Sequence, residues 1–310
     1  MSARRMGVVC VLLGSLFAAG ARAGDQPPGA EPSPEEAHKK SLTAINKALT
    51  DPVSEAWSIA FQQNNFRISP GLDHGERWSS NLLFQGALPV ALNPYWDLIT
   101  RPSIALFASL PHPQPENPSQ LDRTTAFGDI VLLQLFVPRR ELTQRWLAGV
   151  GPTWIFPTGV SRWTTAGKWQ VGPAAAFGYL SDNWILAALF QNWTSFGGSG
   201  PRATNSMNLQ PIAAYFLPNG WSIGYSGSIL ADWKASATNA YTVPIGLQVG
   251  KVTILGPLPV KLTLAAQWMP VHPAVFGPVW NAQLFVQILR PKLLRGYLSD
   301  PASLRFRWEE

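Results

Sequence analysis

Cysteine is almost missing from this sequence, and charged residues are scarce. The single cysteine, Cys10, lies in an apolar run near the N-terminus and has no lipobox before it. Disulfide frameworks, thiol catalysis and cysteine-based metal centres are therefore excluded for the rest of the chain. Charged residues make up only 14% of the sequence, against about a quarter in an ordinary soluble domain. This composition argues against a water-soluble globular fold.

The N-terminus has the pattern of a secretory signal peptide. Arg4 and Arg5 are followed by an apolar run over residues 8–19, and Ala21 and Ala23 give the small-x-small cleavage pattern. We therefore predict that residues 1–23 form a signal peptide and that the remaining chain is exported. No later segment has 18 or more uninterrupted apolar residues, so no transmembrane helix is predicted beyond it.

Residues 24–56 are predicted to form a periplasmic leader. Residues 35–50 contain an amphipathic helix that ends before Pro52 and has Ala37, Leu42, Ile45 and Leu49 as its apolar stripe. This segment is either a solvated arm or a short plug, and the sequence favours the solvated arm.

From Trp57 onwards the chain divides into segments of strand length separated by turn residues. Side chains alternate within them, so that apolar residues share one face and amide, hydroxyl or small residues share the other. We predict strands near residues 57–65, 78–90, 95–108, 125–137, 145–156, 168–180, 184–196, 204–217, 221–232, 241–252, 259–269 and 279–290.

These segments predict an all-β fold: a closed, antiparallel, up-and-down transmembrane β-barrel of about 12 strands over residues 57–291. An exported, apolar and aromatic-rich chain needs a closed barrel because lipid satisfies no free strand edge. Tryptophans recur at segment ends, as in interfacial girdles. Long and short connections alternate, and Asn219-Gly220 in a short one is typical of a type I′ hairpin turn. The bacterial outer membrane is the expected location.

The sequence also resembles a bacterial outer-membrane barrel family whose members are often labelled "neuromedin U" or "transporter". The family is related to barrel proteins of the phenol-degradation MetA-pathway type. The matching stretches are 51–54 (DPVS), 61–66 (FQQNNF), 96–102 (WDLITRP), 127–130 (FGDI), 149–152 (GVGP), 167–174 (GKWQVGPA), 210–211 (QP), 217–221 (LPNGW), 233–235 (WKA) and 244–251 (PIGLQVGK). The resemblance implies an outer-membrane barrel and supplies no catalytic residues. The tail over residues 292–310 departs from the family pattern.

No enzyme signature is present in the sequence. His74, His112 and His272 are expected in surface loops and His38 in the leader, and none has the serine neighbour that a barrel lipase would use. Acidic residues are scattered rather than paired, and no phosphate loop or metal motif occurs. We therefore predict no catalytic residue, no metal and no cofactor.

Polar residues on the inward face are the functional candidates. By alternation these lumen-lining residues are Arg101, Lys168, Gln170, Gln210, Gln248, Lys261 and Gln283. The cations either tune ion preference or pair with Asp97, Asp129 and Asp232. The nearly continuous apolar run over residues 130–136 indicates either a partly hydrophobic lumen or packing against a plug.

The sequence therefore predicts an outer-membrane channel or transporter for small molecules, with hydrophobic or aromatic cargo as one expectation. The alternative is a non-conducting structural or adhesion barrel that displays its extracellular loops, and a lipid hydrolase is a distant third. Expected partners are outer-membrane lipid, small-molecule cargo and the barrel-insertion machinery. Nucleic acid is not expected, because the aromatic residues fall at strand ends and an exported protein is in the wrong compartment.

Overall fold

The computed structural model describes residues 34–71, 75–117 and 119–289. The predicted signal peptide and the tail over residues 292–310 lie outside the described residues. The described residues from His38 onwards belong to one compact unit, which contains the barrel. None of the helices in the described ranges is long and apolar enough to cross a membrane.

Thirteen strand segments make up the wall, and the twelve predicted strands are confirmed. They are β1 (Ser58–Ser69), β2 (Arg77–Ala91), β3 (Trp96–Pro113), β4 (Leu121–Pro138), β5 (Trp146–Phe156), β6 (Trp169–Leu180), β7 (Trp184–Gly197), β8 (Asn205–Phe216), β9 (Trp221–Ser226), β10 (Ile229–Asp232), β11 (Tyr241–Leu255), β12 (Leu258–Val271) and β13 (Gly277–Leu289). Helix α1 (Pro34–Thr50) precedes the strands, and the short helix α2 (Arg140–Thr143) connects β4 to β5.

The sheet closes on itself. Apart from β9 and β10, each strand pairs antiparallel with the next, and β13 pairs with β1 from Ser58 opposite Leu289 to Ser69 opposite Gly277. Both β9 and β10 lie between β8 and β11, so they are two pieces of one strand position. The barrel therefore has twelve strand positions and no free edge, as lipid requires.

A break at residues 227–228 separates β9 from β10, where the sequence had predicted one continuous strand. A Cβ at Gly227 would lie 2.3 Å from the Tyr225 hydroxyl oxygen and 2.8 Å from the Pro244 side chain. Pro244, on the neighbouring β11, has no N–H to donate. The strand is interrupted because the backbone is crowded at Gly227 and because Pro244 cannot donate a hydrogen bond to the neighbouring strand.

The short connections, at residues 92–95, 181–183, 217–220 and 256–257, define the periplasmic end of the barrel. In the third of these, Asn219 and Gly220 have φ values of 59° and 74°. Two successive positive φ angles are those of a type I′ turn, so the predicted turn is confirmed.

Side chains alternate across the wall as the sequence predicts. On β12, Leu264 and Trp268 face outwards with 64% and 45% of their surfaces exposed, whereas Thr263 and Gln267 face inwards and are buried. Exposed tryptophans form one ring at each end of the barrel: Trp96, Trp146, Trp184 and Trp221 at the periplasmic end, and Trp78, Trp169, Trp268 and Trp280 at the other. An apolar band between two aromatic girdles is the exterior of a membrane barrel.

Glycine permits close strand approach at one inward position, and this gives a stability prediction. A Cβ at Gly172 would lie 1.9 Å from the Asn192 carbonyl oxygen, whereas a Cβ at Gly197 would have nothing within 4 Å. We expect Gly172→Ala to lower the free energy of unfolding by about 3 kcal/mol, because β6 and β7 must separate. Gly197→Ala is the control, expected to change it by less than about 0.5 kcal/mol. Urea titration in detergent measures both, and equal effects would contradict the strand spacing.

Candidate functional site: the barrel interior

A cavity of about 530 Å³ lies inside the barrel. Its lining contains twelve asparagine and glutamine residues and eight serine and threonine residues, but only three charged ones: Asp51, Arg101 and Lys261. Amide and hydroxyl groups therefore dominate the polar surface that a molecule inside the barrel would contact.

Four of these amides form a belt across adjacent strands. The Asn281 amide nitrogen donates to Gln267 Oε1 at 3.3 Å and to Asn64 Oδ1 at 3.2 Å. Asn64 in turn donates to Asn81 Oδ1 at 2.8 Å. The amide belt thus joins β12, β13, β1 and β2 through side chains. Because each amide has both donor and acceptor capacity, such a chain holds its members in fixed orientations.

An apolar wall faces the cavity from the strands further round the barrel. It consists of Ile99, Leu133, Leu189 and Ile212, on β3, β4, β7 and β8, and each is at most 7% exposed. The cavity is two-faced in that the amide belt lies on β12, β13, β1 and β2 and the apolar wall on β3, β4, β7 and β8. Gln191, Asn208 and Gln210 add further amides on β7 and β8.

The apolar run on β4 both lines the lumen and packs against the N-terminal segment, the two roles that the sequence left open. Val131 and Leu133 line the cavity. Leu135 and Val137 instead pack in one buried cluster with Val53 of the N-terminal segment. The part of the run nearer the periplasmic end is therefore covered by the N-terminal segment, and the other part faces the lumen.

The N-terminal segment is a plug rather than the solvated arm that the sequence favoured. Leu42, Ile45 and Leu49 are buried against inward-facing residues of the wall, Val252 and Leu289. The expectation of a solvated arm was wrong because an apolar stripe on a helix predicts a buried face but does not identify the surface that buries it. We call residues 41–56 the plug.

Asn46 lies within the same helix face and fixes the helix to the periplasmic end. It is fully buried, and its amide nitrogen donates to the Gly220 carbonyl at 2.9 Å. Ser222 donates to its Oδ1 at 3.4 Å. A buried amide needs such partners, so this side chain specifies where the helix docks.

Two lumen cations hold two residues of the plug that are separated by one position. Arg101 on β3 donates to the Pro52 carbonyl at 3.2 Å, and Lys261 on β12 donates to Thr50 Oγ1 at 2.5 Å. Asp51, between those two plug residues, forms an ion pair with Arg140 of α2. Strands β3 and β12 and the connecting helix α2 therefore bind residues 50–52 through charged groups, which form stronger hydrogen bonds than neutral ones.

The three aspartates that the sequence offered as partners of the lumen cations have other partners. Asp97 accepts from Arg139 Nε at 3.1 Å. Asp129 accepts from the backbone N–H groups of Gly159 and Ala166, and Asp232 from that of Lys234. These carboxylates stabilise connections and loops of the barrel. The lumen cations Arg101 and Lys261 bind the plug instead of these aspartates.

The plug carries two carboxyl groups whose titration gives a pH prediction. Burial raises the pKa of Asp51, although Arg140 acts in the opposite direction, and burial also raises the pKa of Glu55. A carboxyl with a higher pKa in the docked plug takes up a proton on docking. Docking is therefore stabilised as the pH falls through the raised pKa, and fully so below the ordinary value of about 4.

We accordingly expect ion conductance to fall when the periplasmic side is acidified from pH 7 to pH 5. The measurement is conductance across a planar bilayer, with Glu55→Gln as the comparison because its amide does not titrate. The variant should show a weaker dependence than the parent. Conductance that rises on acidification would contradict the sign of the effect.

Five of the seven predicted lumen residues line the cavity: Arg101, Gln210, Gln248, Lys261 and Gln283. Gln170 is buried on the inward face of β6 but is not among the cavity-lining residues. Lys168 precedes β6, and its amine donates to the Gly198 carbonyl at 3.0 Å in a neighbouring loop. Alternation in the sequence places Gln267, Asn281 and Gln287 on the polar faces of their strands. The list of candidates nevertheless omitted them, together with the other cavity-lining amides Gln62, Asn64, Asn81, Gln85, Gln191 and Asn208.

One histidine corrects the sequence interpretation. His112 lies in β3 rather than in a loop, is 7% exposed, and places Nε2 2.8 Å from Thr124 Oγ1. Its ring stacks on Trp163 with 4.4 Å between centroids. In the part of the chain that the structure describes, no group of three or more His, Cys, Asp or Glu residues could hold a metal ion.

A closed antiparallel barrel with an apolar band, two aromatic girdles and a polar interior defines an outer-membrane β-barrel. The protein is therefore placed in the bacterial outer membrane. Its fold is similar to that of an outer-membrane channel from Pseudomonas putida F1, with a TM-score of 0.54 and 13% identity over 78% of this chain and 97% of that chain. This likeness shows the fold.

More distant similarities are to the NanC porin and to a FadL homologue from Pseudomonas aeruginosa. The NanC porin has a TM-score of 0.44 and 6% identity over 76% of this chain and 98% of that chain. The FadL homologue has a TM-score of 0.32 and 9% identity over 84% and 93%. No protein-family model and no curated protein sequence matches the chain.

Proposed function

We propose that the protein is a channel through which small uncharged molecules, including those with a hydrophobic or aromatic body, cross the outer membrane. The observation that carries this proposal is the two-faced cavity, with the amide belt on one side and the apolar wall on the other. A molecule with an apolar body and a hydrogen-bonding group would satisfy both surfaces at once. The proposed partners are accordingly outer-membrane lipid and such cargo, with insertion by the barrel-insertion machinery.

The charges of the interior support uncharged cargo. Arg101 and Lys261 are bound to the plug, and Asp51 is paired with Arg140. Among the described residues that line the cavity, each charged group would therefore have to break its contact at the plug before it could bind an ion. Passage would require the plug to shift from the periplasmic end, so we expect restricted flux rather than that of an open general porin.

The same plug favours the alternative, a non-conducting barrel that displays its loops. The resemblance to the family labelled "transporter" supports the channel instead, and the polar cavity is not needed by a structural barrel. Nothing in the interior supports catalysis: the amides are not nucleophiles, and His112 contacts a threonine and a tryptophan ring. We propose that the protein is not an enzyme.

Permeation into liposomes tests the channel. Methyl glucoside, phenyl glucoside and gluconate are compared by osmotic swelling of vesicles with and without the protein. We expect phenyl glucoside to enter at least as fast as the smaller methyl glucoside, because its ring contacts the apolar wall, and gluconate to enter most slowly. Vesicles that respond to none of the solutes would favour the structural alternative.

A further inference from the structure

Four buried hydrogen-bond acceptors among the described cavity-lining residues have no partner in the protein. One is Asn208 Oδ1 on β8, and the other three lie on two adjacent strands: Thr263 Oγ1 on β12, and Asn281 Oδ1 and Gln287 Oε1 on β13. Thr263 and Asn281 are each only 5% exposed. Leaving a buried acceptor unpaired is costly, and the great majority of such atoms in proteins are paired. Three on two adjacent strands therefore point to a ligand that supplies donors.

The three acceptors follow the direction of the passage. Along β13, Asn281 and Gln287 are six residues apart, which corresponds to about 20 Å of strand. Thr263 lies between them in height, because it pairs with Phe285. A donor group moving along this side of the barrel would meet the acceptors in turn.

The neighbouring strand places no side chain beside the middle acceptor. Gly250, on β11, has no side chain, and a Cβ there would lie 3.2 Å from Thr263 Oγ1 and 2.8 Å from Ser222 Oγ. Any larger residue would therefore crowd this hydroxyl. The apolar wall faces the same cavity from the strands further round the barrel.

We propose that Thr263, Asn281 and Gln287 form an acceptor track that recognises the hydroxyl group of small alcohols while the apolar wall holds their carbon skeleton. This inference rests on the proposed function and specifies its cargo. The track selects molecules that carry an O–H donor over molecules of the same shape that lack one, because only the former satisfy its buried acceptors.

The charges beside the track disfavour an ammonium ion as the donor. Lys261 pairs with Gln287 across β12 and β13, so a second cation would meet like charge. Asp51, the one carboxylate of the cavity lining, is already bound to Arg140. A neutral hydroxyl meets no such repulsion.

Binding of matched probes to the full chain in detergent tests the track. Benzyl alcohol has the O–H donor that its analogue benzyl methyl ether lacks. Equilibrium dialysis against protein-free detergent corrects for partition of both probes into micelles. We expect the alcohol to bind roughly fivefold more tightly than the ether, the contribution of one neutral hydrogen bond.

Thr263→Val removes the middle acceptor without breaking a hydrogen bond within the protein, so the barrel should fold as before. We expect it to lower the alcohol preference to about twofold, and Thr263→Val combined with Gln287→Met to lower it further, because Asn281 is then the one remaining acceptor of the track. Thr242→Val is the matched control, since Thr242 lies on β11 in the same cavity outside the track. It should keep the preference of the parent. Heat-modifiable gel migration verifies folding of each variant.

Equal binding of alcohol and ether by the parent would overturn the track, as would a double variant that keeps the full preference of the parent. Water would then be the partner of these acceptors. Because this assay needs no conduction, it separates the two proposals. A barrel that shows no conductance but prefers the alcohol would overturn the channel alone. A conducting barrel that binds alcohol and ether equally would overturn the track alone.

Discussion

Oxidation of a double variant, Val53→Cys with Gly149→Cys, is expected to hold the plug at the periplasmic end and to suppress conductance severalfold. A Cβ at Gly149 would lie 3.3 Å from Val53 Cγ1, the place that a cysteine sulfur would take. This separation suits a disulfide after a small adjustment. The effect should be large because Val53 follows the residues that Arg101 and Lys261 bind.

Reduction should restore the conductance of the parent, since the bond forms only between these two sulfurs. Cys10 lies in the predicted signal peptide, so no other cysteine is expected in the mature chain. The two single variants are the controls and should respond to neither oxidant nor reductant. If the disulfide forms and conductance is the same in both redox states, the plug does not control the passage.

Leu264→Arg is expected to destabilise the barrel in a bilayer by about 2–4 kcal/mol, the cost of a cation facing lipid near the membrane midplane. Leu264 is 64% exposed and lies halfway along β12, facing outwards. Gln283→Arg is the matched control, because Gln283 is near the same height on β13 and lines the cavity.

The control should leave stability nearly unchanged and shift ion selectivity towards anions, since a cation lining a pore attracts them. Unfolding in lipid vesicles and reversal potentials in a salt gradient measure the two quantities. Equal destabilisation by both substitutions would contradict the assignment of outward and inward faces.

The wall of the barrel could be predicted from sequence because its signal is local. An apolar residue every second position on β12 or β13 specifies both the strand and its outward face. The break between β9 and β10 could not be predicted in this way. It depends on the Pro244 side chain lying beside Gly227, and that contact exists only once β11 lies next to β9 and β10.

The plug was missed because its contacts span the whole chain. Leu42, Ile45 and Leu49 describe an amphipathic helix whether water, lipid or a barrel covers it. One signal was available: Asn46 is four residues after Leu42 and three before Leu49, so it lies on the apolar face. An amide there indicates a specific buried partner, which is the Gly220 carbonyl 174 residues later.

The amide belt was predicted in kind but not in membership. Alternation identified the inward faces of β12 and β13, yet which amides meet depends on strand register. Asn64 and Asn281 are 217 residues apart in sequence and become neighbours only when β13 pairs with β1. The same closure brings Lys261 to Thr50 and gives the lumen cation its role in holding the plug.

Single-channel recording of the full-length protein in a planar bilayer tests the central claim most directly. A lumen that connects the two sides of the membrane predicts discrete current steps, small while the plug is docked and larger during excursions from it. A correctly folded barrel, verified by heat-modifiable gel migration, that inserts and yet gives no current steps at any applied voltage would contradict the claim.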